Sequence, residues 1–346
     1  MTRPLFSIVI PTYNRAHAVG DAIQSCLAQT LDDFEIIVVD DQKSTDDIAA
    51  ALARFAGADI RLLSRLKNTA AGNRNVGALA ARGKYVAFLD SDDEFLPNKL
   101  EACLTYLERH PFHAVYSRTF VDRGVDRLWA RPRRGLREGE NIFEYFFIHK
   151  GWIHLSTLAA DANVVREHPF REDLGFGDDT QFAADLAKSG VRLHMLEEPL
   201  AVYRDLGCAS QLSQAPVYAS ADAPANKPFI DWVESQRAYM SKRAYHAYRA
   251  WYLARFVSRR SPLQALRFVW QAHRRGSMTS LQSAAQLTQV FMPRLYRRLA
   301  NLVAGRAGQR VPSVITEMRA RRAGVVGSSR AAAHPRPASA LDQPVR

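Results

Sequence analysis

Over its first 110 residues the chain alternates short apolar runs with amphipathic ones, and this alternation limits the folds open to it. Residues 6–10, 34–39, 60–63 and 85–89 read as strands, with helices over 19–28, 46–55 and 73–81 between them. Continuous apolar runs of this length suit parallel strands buried on both faces, and the alternation implies βαβ crossover units. The expected class is α/β: a mixed, mainly parallel sheet flanked by helices. Open sheets of this kind bind ligands in the crevice beyond the carboxyl ends of their strands. Three polar signatures fall there: Pro11-Thr12-Tyr13-Asn14, Asp40-Asp41, and Asp90-Ser91-Asp92-Asp93.

The carboxylates that close the fourth run carry chemistry. Crowded carboxylates are unfavourable unless a positive charge sits between them, and a hard divalent cation supplies one while bridging to phosphate. A solvated acidic turn capping the next helix explains the same residues without a ligand. A rim with Asp41, Arg74, Asp90 and Asp92 suits a nucleoside diphosphate. A carboxylate accepts from base or ribose, the Asp90/Asp92 pair holds a cation against the pyrophosphate, and an arginine adds charge-assisted bonds. Neither GxxxxGK[ST] nor a GxGxxG after the first strand is present, which argues against a P-loop NTPase and a dinucleotide fold. Further on, Asp178-Asp179 opens a helix behind Gly175-Phe176-Gly177. The pair is a candidate general base for an incoming hydroxyl, or a helix cap favoured by the dipole.

Beyond residue 110 the pattern loosens. Residues 111–150 are irregular, with Arg131, Arg133, Arg134 and Arg137 on a loop or hairpin; strands follow over 155–165, 191–196 and 200–203, and a helix over 178–188. The expected division is a catalytic domain over 1–215, a basic, aromatic-rich helical extension over 216–304, and a disordered tail over 305–346. Charge supports two jobs: residues 237–346 carry 21 Lys and Arg against Glu317 and Asp342, within a chain of net charge +12. Residues 237–303 interleave arginines with Tyr245, Trp251, Phe256 and Trp270, which suits an anionic membrane surface. The alternative is that these aromatics pack on the catalytic domain. Nucleic acid is not an expected partner, because no binding module accompanies the charge. Cys26, Cys103 and Cys208 lack metal or disulfide spacing. With no signal peptide and no apolar run of about 18 residues, the expected location is cytoplasmic, peripheral at the inner face of the plasma membrane.

Taken in order, Ser7-Ile8-Val9-Ile10-Pro11-Thr12-Tyr13-Asn14-Arg15, Ile37-Val38-Val39-Asp40-Asp41, Ala70-Ala71-Gly72-Asn73-Arg74-Asn75-Val76-Gly77, Phe88-Leu89-Asp90-Ser91-Asp92-Asp93 and Gly177-Asp178-Asp179 resemble the family-2 inverting glycosyltransferases of the GT-A fold, over residues 4–205. The resemblance implies a transferase that moves a sugar from a nucleotide-sugar donor, UDP-linked or otherwise, to a glycan or lipid-linked acceptor in surface polysaccharide synthesis. It implies that Pro11, Tyr13 and Asp41 line the base pocket, that Arg74 lies near the ribose and diphosphate, and that Asp90 and Asp92 form the DxD element. Asp92 would be the foremost ligand of Mn²⁺ or Mg²⁺, and Asp179 the catalytic base. Two departures stand out: Gln42-Lys43-Ser44 replaces the usual Gly-Ser, and Asp178 replaces the usual Glu. A sugar nucleotidyltransferase is the nearest alternative, but its Gly-rich basic N-terminal loop is missing. A third reading is a binding protein acting through the basic C-terminal region, against which the intact carboxylate set argues. Trp152 and His154 are further candidates to line an acceptor site.

Overall fold

The structure, a computed structural model, describes residues 3–65, 69–205 and 226–322, and the chain divides into two compact units, Met1–Arg310 and Val311–Arg346. In the first unit, β1 (Phe6–Thr12), β2 (Phe34–Asp41), β3 (Ile60–Arg65) and β4 (Tyr85–Phe88) run parallel in the order β4-β1-β2-β3. The crossovers are α1 (Ala16–Leu27), α2 (Ile48–Ala53) and α3 (Ala70–Ala80). Alternate side chains of each strand feed opposite faces, so both faces must be covered. Ile8, Ile10, Ile36 and Val38 pack under α1 and α4 (Lys99–Leu107), whereas Val9, Ile37, Val39 and Phe88 face α3 and the later helices.

The second half of the sheet departs from the sequence-based expectation. The stretch 111–150, expected to be irregular, contains a hairpin of β6 (Ala114–Asp122) and β7 (Arg127–Arg131), then α5 (Ile142–Phe147). The two-residue strand β5 (Glu94–Phe95) follows the acidic run. Residues 155–165 hold a 3₁₀ turn, the short β8 (Ala159–Asp161) and α6 (Ala162–Glu167) instead of one strand. The Asp161 side chain caps α6 through the Asn163 N–H, which turns the chain out of the sheet. After α7 (Asp178–Lys188), the two expected strands are one, β9 (Leu193–Arg204), parallel to β6. The register jumps from Leu196 opposite Ser117 to Pro199 opposite Arg118, so Glu197 and Glu198 bulge outward.

The helical extension shares the core of the sheet. Phe229, Trp232 and Val233 of α8 (Lys227–Ser235) and Ala244, Ala247 and Tyr248 of α9 (Lys242–Tyr248) are buried in the same cluster as Val9, Phe88 and Phe182. A π-helical turn (Arg249–Leu253) leads into α10 (Ala254–Val257) and α11 (Pro262–Arg274), followed by α12 (Ser280–Phe291), α13 (Pro293–Ala307) and β10 (Gln309–Arg310), which pairs with β7. The aromatics of 229–252 other than Tyr239 thus pack on the catalytic body. Apolar residues left in solvent lie further along, at Leu263 and Trp270 of α11 and at Leu295, Leu299 and Leu302 of α13. In the second unit, α14 (Ser313–Arg322) lies where disorder was expected: its arginines and Ala320 are good helix formers, and Ile315 and Met318 are buried. The remainder of that expected tail, from 323, is outside the described residues, as is Cys208; Cys26 and Cys103 are buried free thiols. Among the described residues no helix is long and apolar enough to cross a membrane.

Candidate active site

Three strand ends converge on one crevice. At the end of β1, Pro11 is buried opposite Val39 and Tyr13 stays 45% exposed. Asn14 then takes a left-handed backbone (φ 50°), a conformation Asn tolerates better than most residues. Its Oδ1 accepts from the Thr45 N–H at 2.7 Å and from Ser44 Oγ at 3.2 Å, which ties the loop after β1 to the loop after β2. The unusual Gln42-Lys43-Ser44 segment is therefore anchored: the Lys43 N–H also donates to Asp41 Oδ1 at 2.8 Å. Asn73 closes the back, its Nδ2 donating to the Val39 carbonyl at 3.2 Å.

Buried polar atoms without partners gather here: Thr12 Oγ1, Asp40 Oδ1, Asp41 Oδ2, Asn73 Oδ1 and Arg74 Nε. Native interiors leave few such atoms, and a cluster of them marks where a polar ligand completes the bonding. Burial pushes the Asp40 carboxyl up to about 6, a further sign of the desolvated strand ends.

Arg74, on the first turns of α3 and almost fully buried, is the hub of the site. Its Nη2 pairs with Asp90 and its Nη1 with Asp178, joining the end of β4 to the start of α7. Asp92 pairs with Arg15 at 2.5 Å. Asp93 turns the other way and is fully buried. Its Oδ2 lies 2.5 Å from His154 Nε2 and accepts from Ser156 Oγ at 2.6 Å, while its Oδ1 accepts from the Arg204 N–H at 3.2 Å. Ser156 Oγ in turn accepts from the Asp90 N–H at 3.0 Å.

Asp90, Asp93 and His154 bring ligand atoms within 4.8 Å of one another, the one such group among the described residues. Burial opposes a charge on His154, but Asp93 outweighs it and lifts the imidazole to about 9. Asp93 and His154 form a buried ion pair that holds the acidic loop in place. Asp90 also stands two residues from Asp92, the pair expected from the sequence to hold a cation. Burial, followed by the negative charges of Asp93 and Asp90, pushes the Asp92 carboxyl up against the pull of Arg15. That like-charge crowding is what a divalent cation relieves, so the donor set fits one.

Gly177 sets up the last element. It caps α7 with φ 78°, and a Cβ there would stand 2.2 Å from Phe229 Cε2. Glycine is required on both counts. The preceding loop is braced by Arg65 on Glu172 (2.5 and 2.9 Å) and by Asn75 Nδ2 on the Phe170 carbonyl at 2.9 Å. With Asp178 committed to Arg74, Asp179 is the carboxylate of the pair without an ion pair among the described residues. Its Oδ1 accepts only locally, from the Thr180 N–H at 2.6 Å and Thr180 Oγ1 at 3.2 Å. Gly177→Ala is expected to destabilise the fold by about 2 kcal/mol or more from left-handed strain and the Phe229 contact. Turnover should fall with it, as a thermal melt and an activity assay on one preparation would register.

The crevice thus gathers Tyr13, Asp41, Arg74, Asp90, Asp92 and Asp178-Asp179, all named from sequence, with Pro11 built into the end of β1 beneath them. Sequence reasoning missed the roles of Arg15, Asp93 and Arg204. Asp93 adjoins the acidic motif, but its partner lies 61 residues away, at a spacing with no local signature.

Residues 7–173 match the description "Glycosyl transferase family 2". The chain is 29% identical over 258 residues to the amylovoran biosynthesis glycosyltransferase AmsB of Erwinia amylovora, covering 72% of this chain and 83% of that one. Its fold matches residues 1–349 of S. aureus TarS in complex with UDP-GlcNAc, with TM-score 0.57 at 17% identity over 92% of each chain. It also matches the mannosyltransferase PcManGT of Pyrobaculum calidifontis in complex with GDP-Man and Mn²⁺, with TM-score 0.53 at 20% identity over 89% and 87% of the two chains. The ordered motifs, the crevice they build and these likenesses agree: the chain carries a family-2 glycosyltransferase domain over residues 7–173 and has a GT-A fold.

Proposed function

We propose that this transferase inverts configuration, moving a sugar from a nucleoside diphosphate to a hydroxyl of a glycan or glycolipid acceptor in surface polysaccharide synthesis. The observation that carries the reading is the division within Asp178-Asp179: one carboxylate is neutralised by Arg74, the other is left available as a base. Asp41, with an unpartnered buried Oδ2, would accept from the base of the nucleotide beside Pro11 and Tyr13. Arg74 fixes the positions of Asp90 and Asp178 relative to each other, and Arg15 does the same for Asp92. Asp90 and Asp92 would hold Mn²⁺ or Mg²⁺, which when bound supplies Lewis-acid neutralisation of the diphosphate leaving group. Asp179 accepts the proton of the attacking hydroxyl as the new glycosidic bond forms and the bond to the diphosphate breaks. One displacement at the anomeric carbon inverts it. The anomeric coupling of the product, read by NMR, tests this: inverted configuration is expected, and retained configuration contradicts the single displacement. A nucleoside diphosphate donor is supported by the UDP-GlcNAc and GDP-Man bound by the structural neighbours. A nucleotidyltransferase gains no support from the family match.

Association with an anionic membrane is part of the proposal, in an amended place. Phe229, Trp232, Tyr245, Tyr248, Trp251 and Tyr252 are engaged in the core, so the docking face lies on α11–α13 within residues 237–303. Exposed Leu263, Trp270, Leu295 and Leu299 there stand among Arg267, Arg274, Arg294 and Arg298, without an acidic residue from 259 to 303. Flotation with vesicles of phosphatidylglycerol and phosphatidylethanolamine at low salt is expected to carry the protein upward, less so for Leu295→Asp/Leu299→Asp. Failure of the wild-type protein to float would contradict membrane docking.

A further inference from the structure

A second constellation begins where the Asp93–His154 lock ends. His154 stacks on Trp152 (ring centroids 4.9 Å apart), Tyr203 meets Trp152 edge-on at 5.2 Å, and Arg131 lies over the Trp152 ring at 5.3 Å. Two residues earlier, Lys150 is held in a left-handed backbone (φ 58°) and lays its ammonium on the Trp251 ring. Such a conformation in a residue other than glycine is costly and is found where the surroundings enforce it, often at functional sites. Trp251 and Tyr252 ride on the π-helical turn, itself a departure from regular helix that recurs at such sites. Tyr252 packs on Phe147 at 5.6 Å and on Phe229 at 5.8 Å, the ring that lies against Gly177. The constellation therefore runs from the acidic loop to the start of α7.

Its charges are unbalanced. The arginines of the neighbouring site are matched: Arg15 with Asp92, Arg74 with Asp90 and Asp178, Arg204 with Glu94. Among the described residues no carboxylate pairs with Arg131, Lys150 or Arg255. Burial, and after it the positive charges of Arg131 and Arg255, hold the Lys150 ammonium well below the ordinary lysine range. Arg131 is exposed to solvent, with its guanidinium over the Trp152 ring. The Tyr252 phenol is pushed up to about 12 by burial and next by the charge of Asp179, while Arg255 and Arg131 pull it back. The Trp251 Nε1–H is buried without an acceptor among the described residues. Three cations without a paired carboxylate beside an idle buried donor make a setting that an anion would complete.

We infer that Arg131, Lys150 and Arg255 form an anion site that seats a phosphate or diphosphate of the acceptor beside Asp179, with Trp152, Trp251 and Tyr252 as its walls. The inference rests on the glycosyltransferase reading and gives its acceptor a chemical class: a hydroxyl-bearing molecule with a phosphoryl group close to the reacting sugar. Arginine and lysine supply the charge-assisted bonds such a group takes, and the aromatic walls exclude water.

Calorimetric titration with inorganic pyrophosphate and with farnesyl diphosphate, in chelator, tests it. Chelator weakens capture of either probe at the Asp90/Asp92 pair. Both probes should bind the wild-type chain, and Lys150→Ala/Arg131→Ala should weaken them ~10- to 100-fold, with Lys150→Arg restoring most of the affinity. Asp92→Asn should leave binding intact. Farnesyl diphosphate binding much more tightly than pyrophosphate would identify a lipid-linked source; equal affinities would identify a soluble phosphoryl group. The inference is overturned if neither probe binds, if the double variant binds as wild type, or if Asp92→Asn alone abolishes binding. A nucleotide-sugar titration of the same proteins with Mn²⁺ in place of chelator keeps the two claims separate. Donor binding without diphosphate binding sinks the anion site only, whereas loss of both in the folded wild-type chain sinks the transferase reading as well.

Discussion

Asp179→Asn is expected to bind its nucleotide sugar within about twofold of wild type while transfer falls roughly 10²- to 10⁴-fold, the usual worth of a positioned general base. The asparagine keeps the volume and the bond from the Thr180 N–H, so α7 should start as before. What it loses is the site that receives the acceptor proton. Asp178 is poorly placed to stand in, because it is committed to Arg74 and reorienting it would leave Nη1 of that buried guanidinium without its partner. Single-turnover transfer beside donor titration separates the two quantities, and undiminished transfer in Asp179→Asn would remove the assignment.

Arg74→Leu is expected to cost about 1–3 kcal/mol of stability, because it leaves the half-buried Asp90 and Asp178 carboxylates without their counter-charge. Arg74→Lys should recover only part of that loss. The guanidinium reaches Asp90 with one nitrogen and Asp178 with the other, a fork that a single ammonium does not reproduce. Donor binding should weaken in both variants, since Asp90 is no longer held where the cation pair needs it. Chemical denaturation gives the stability and the titration gives the affinity. A stable Arg74→Leu with normal donor binding would mean that the two carboxylates hold their places unaided.

The parallel half of the fold was legible because each of its strands announces itself locally. The runs over 6–10, 34–39, 60–63 and 85–89 are apolar without interruption, and all four lie in β1–β4 to within a residue or two. The helix expected from Asp178 to Lys188 is found with those bounds, since Gly177 and Gly190 punctuate it. β6 was not legible. Ala114–Asp122 mixes Ser117, Arg118 and Thr119 into the strand, and what holds it is pairing with β9 some 80 residues on. The merging of two expected strands into β9 has a similar cause, because the Glu197-Glu198 bulge looks like a turn in sequence.

The site shows the same contrast. Asp41, Asp90, Asp92 and Asp179 follow strand or glycine signals and were named from them. The Asp93–His154 lock was hidden because a lone histidine has no spacing to read, and its partner comes from another strand connection. The basic aromatic segment was ambiguous for a physical reason: an amphipathic helix with an aromatic face satisfies the same pattern whether a protein core or a lipid headgroup layer covers it. Tyr248 and Trp232 are covered by the sheet domain, whereas Trp270 and Leu299 remain in water. The unpaired Lys150 was equally hidden, since the absence of a counter-charge is a property of the folded neighbourhood and not of the sequence.

The most direct test of the account is the thermal stability of the purified chain against a panel of nucleotide sugars, with Mn²⁺, Mg²⁺ or chelator. A ligand of the native state adds about 2.7 kcal/mol at a hundredfold excess over its Kd, enough to raise the midpoint measurably. The account predicts a cation-dependent rise with one donor that disappears in Asp92→Asn. A folded protein unmoved by every donor, or one whose rise survives both chelator and Asp92→Asn, would contradict it.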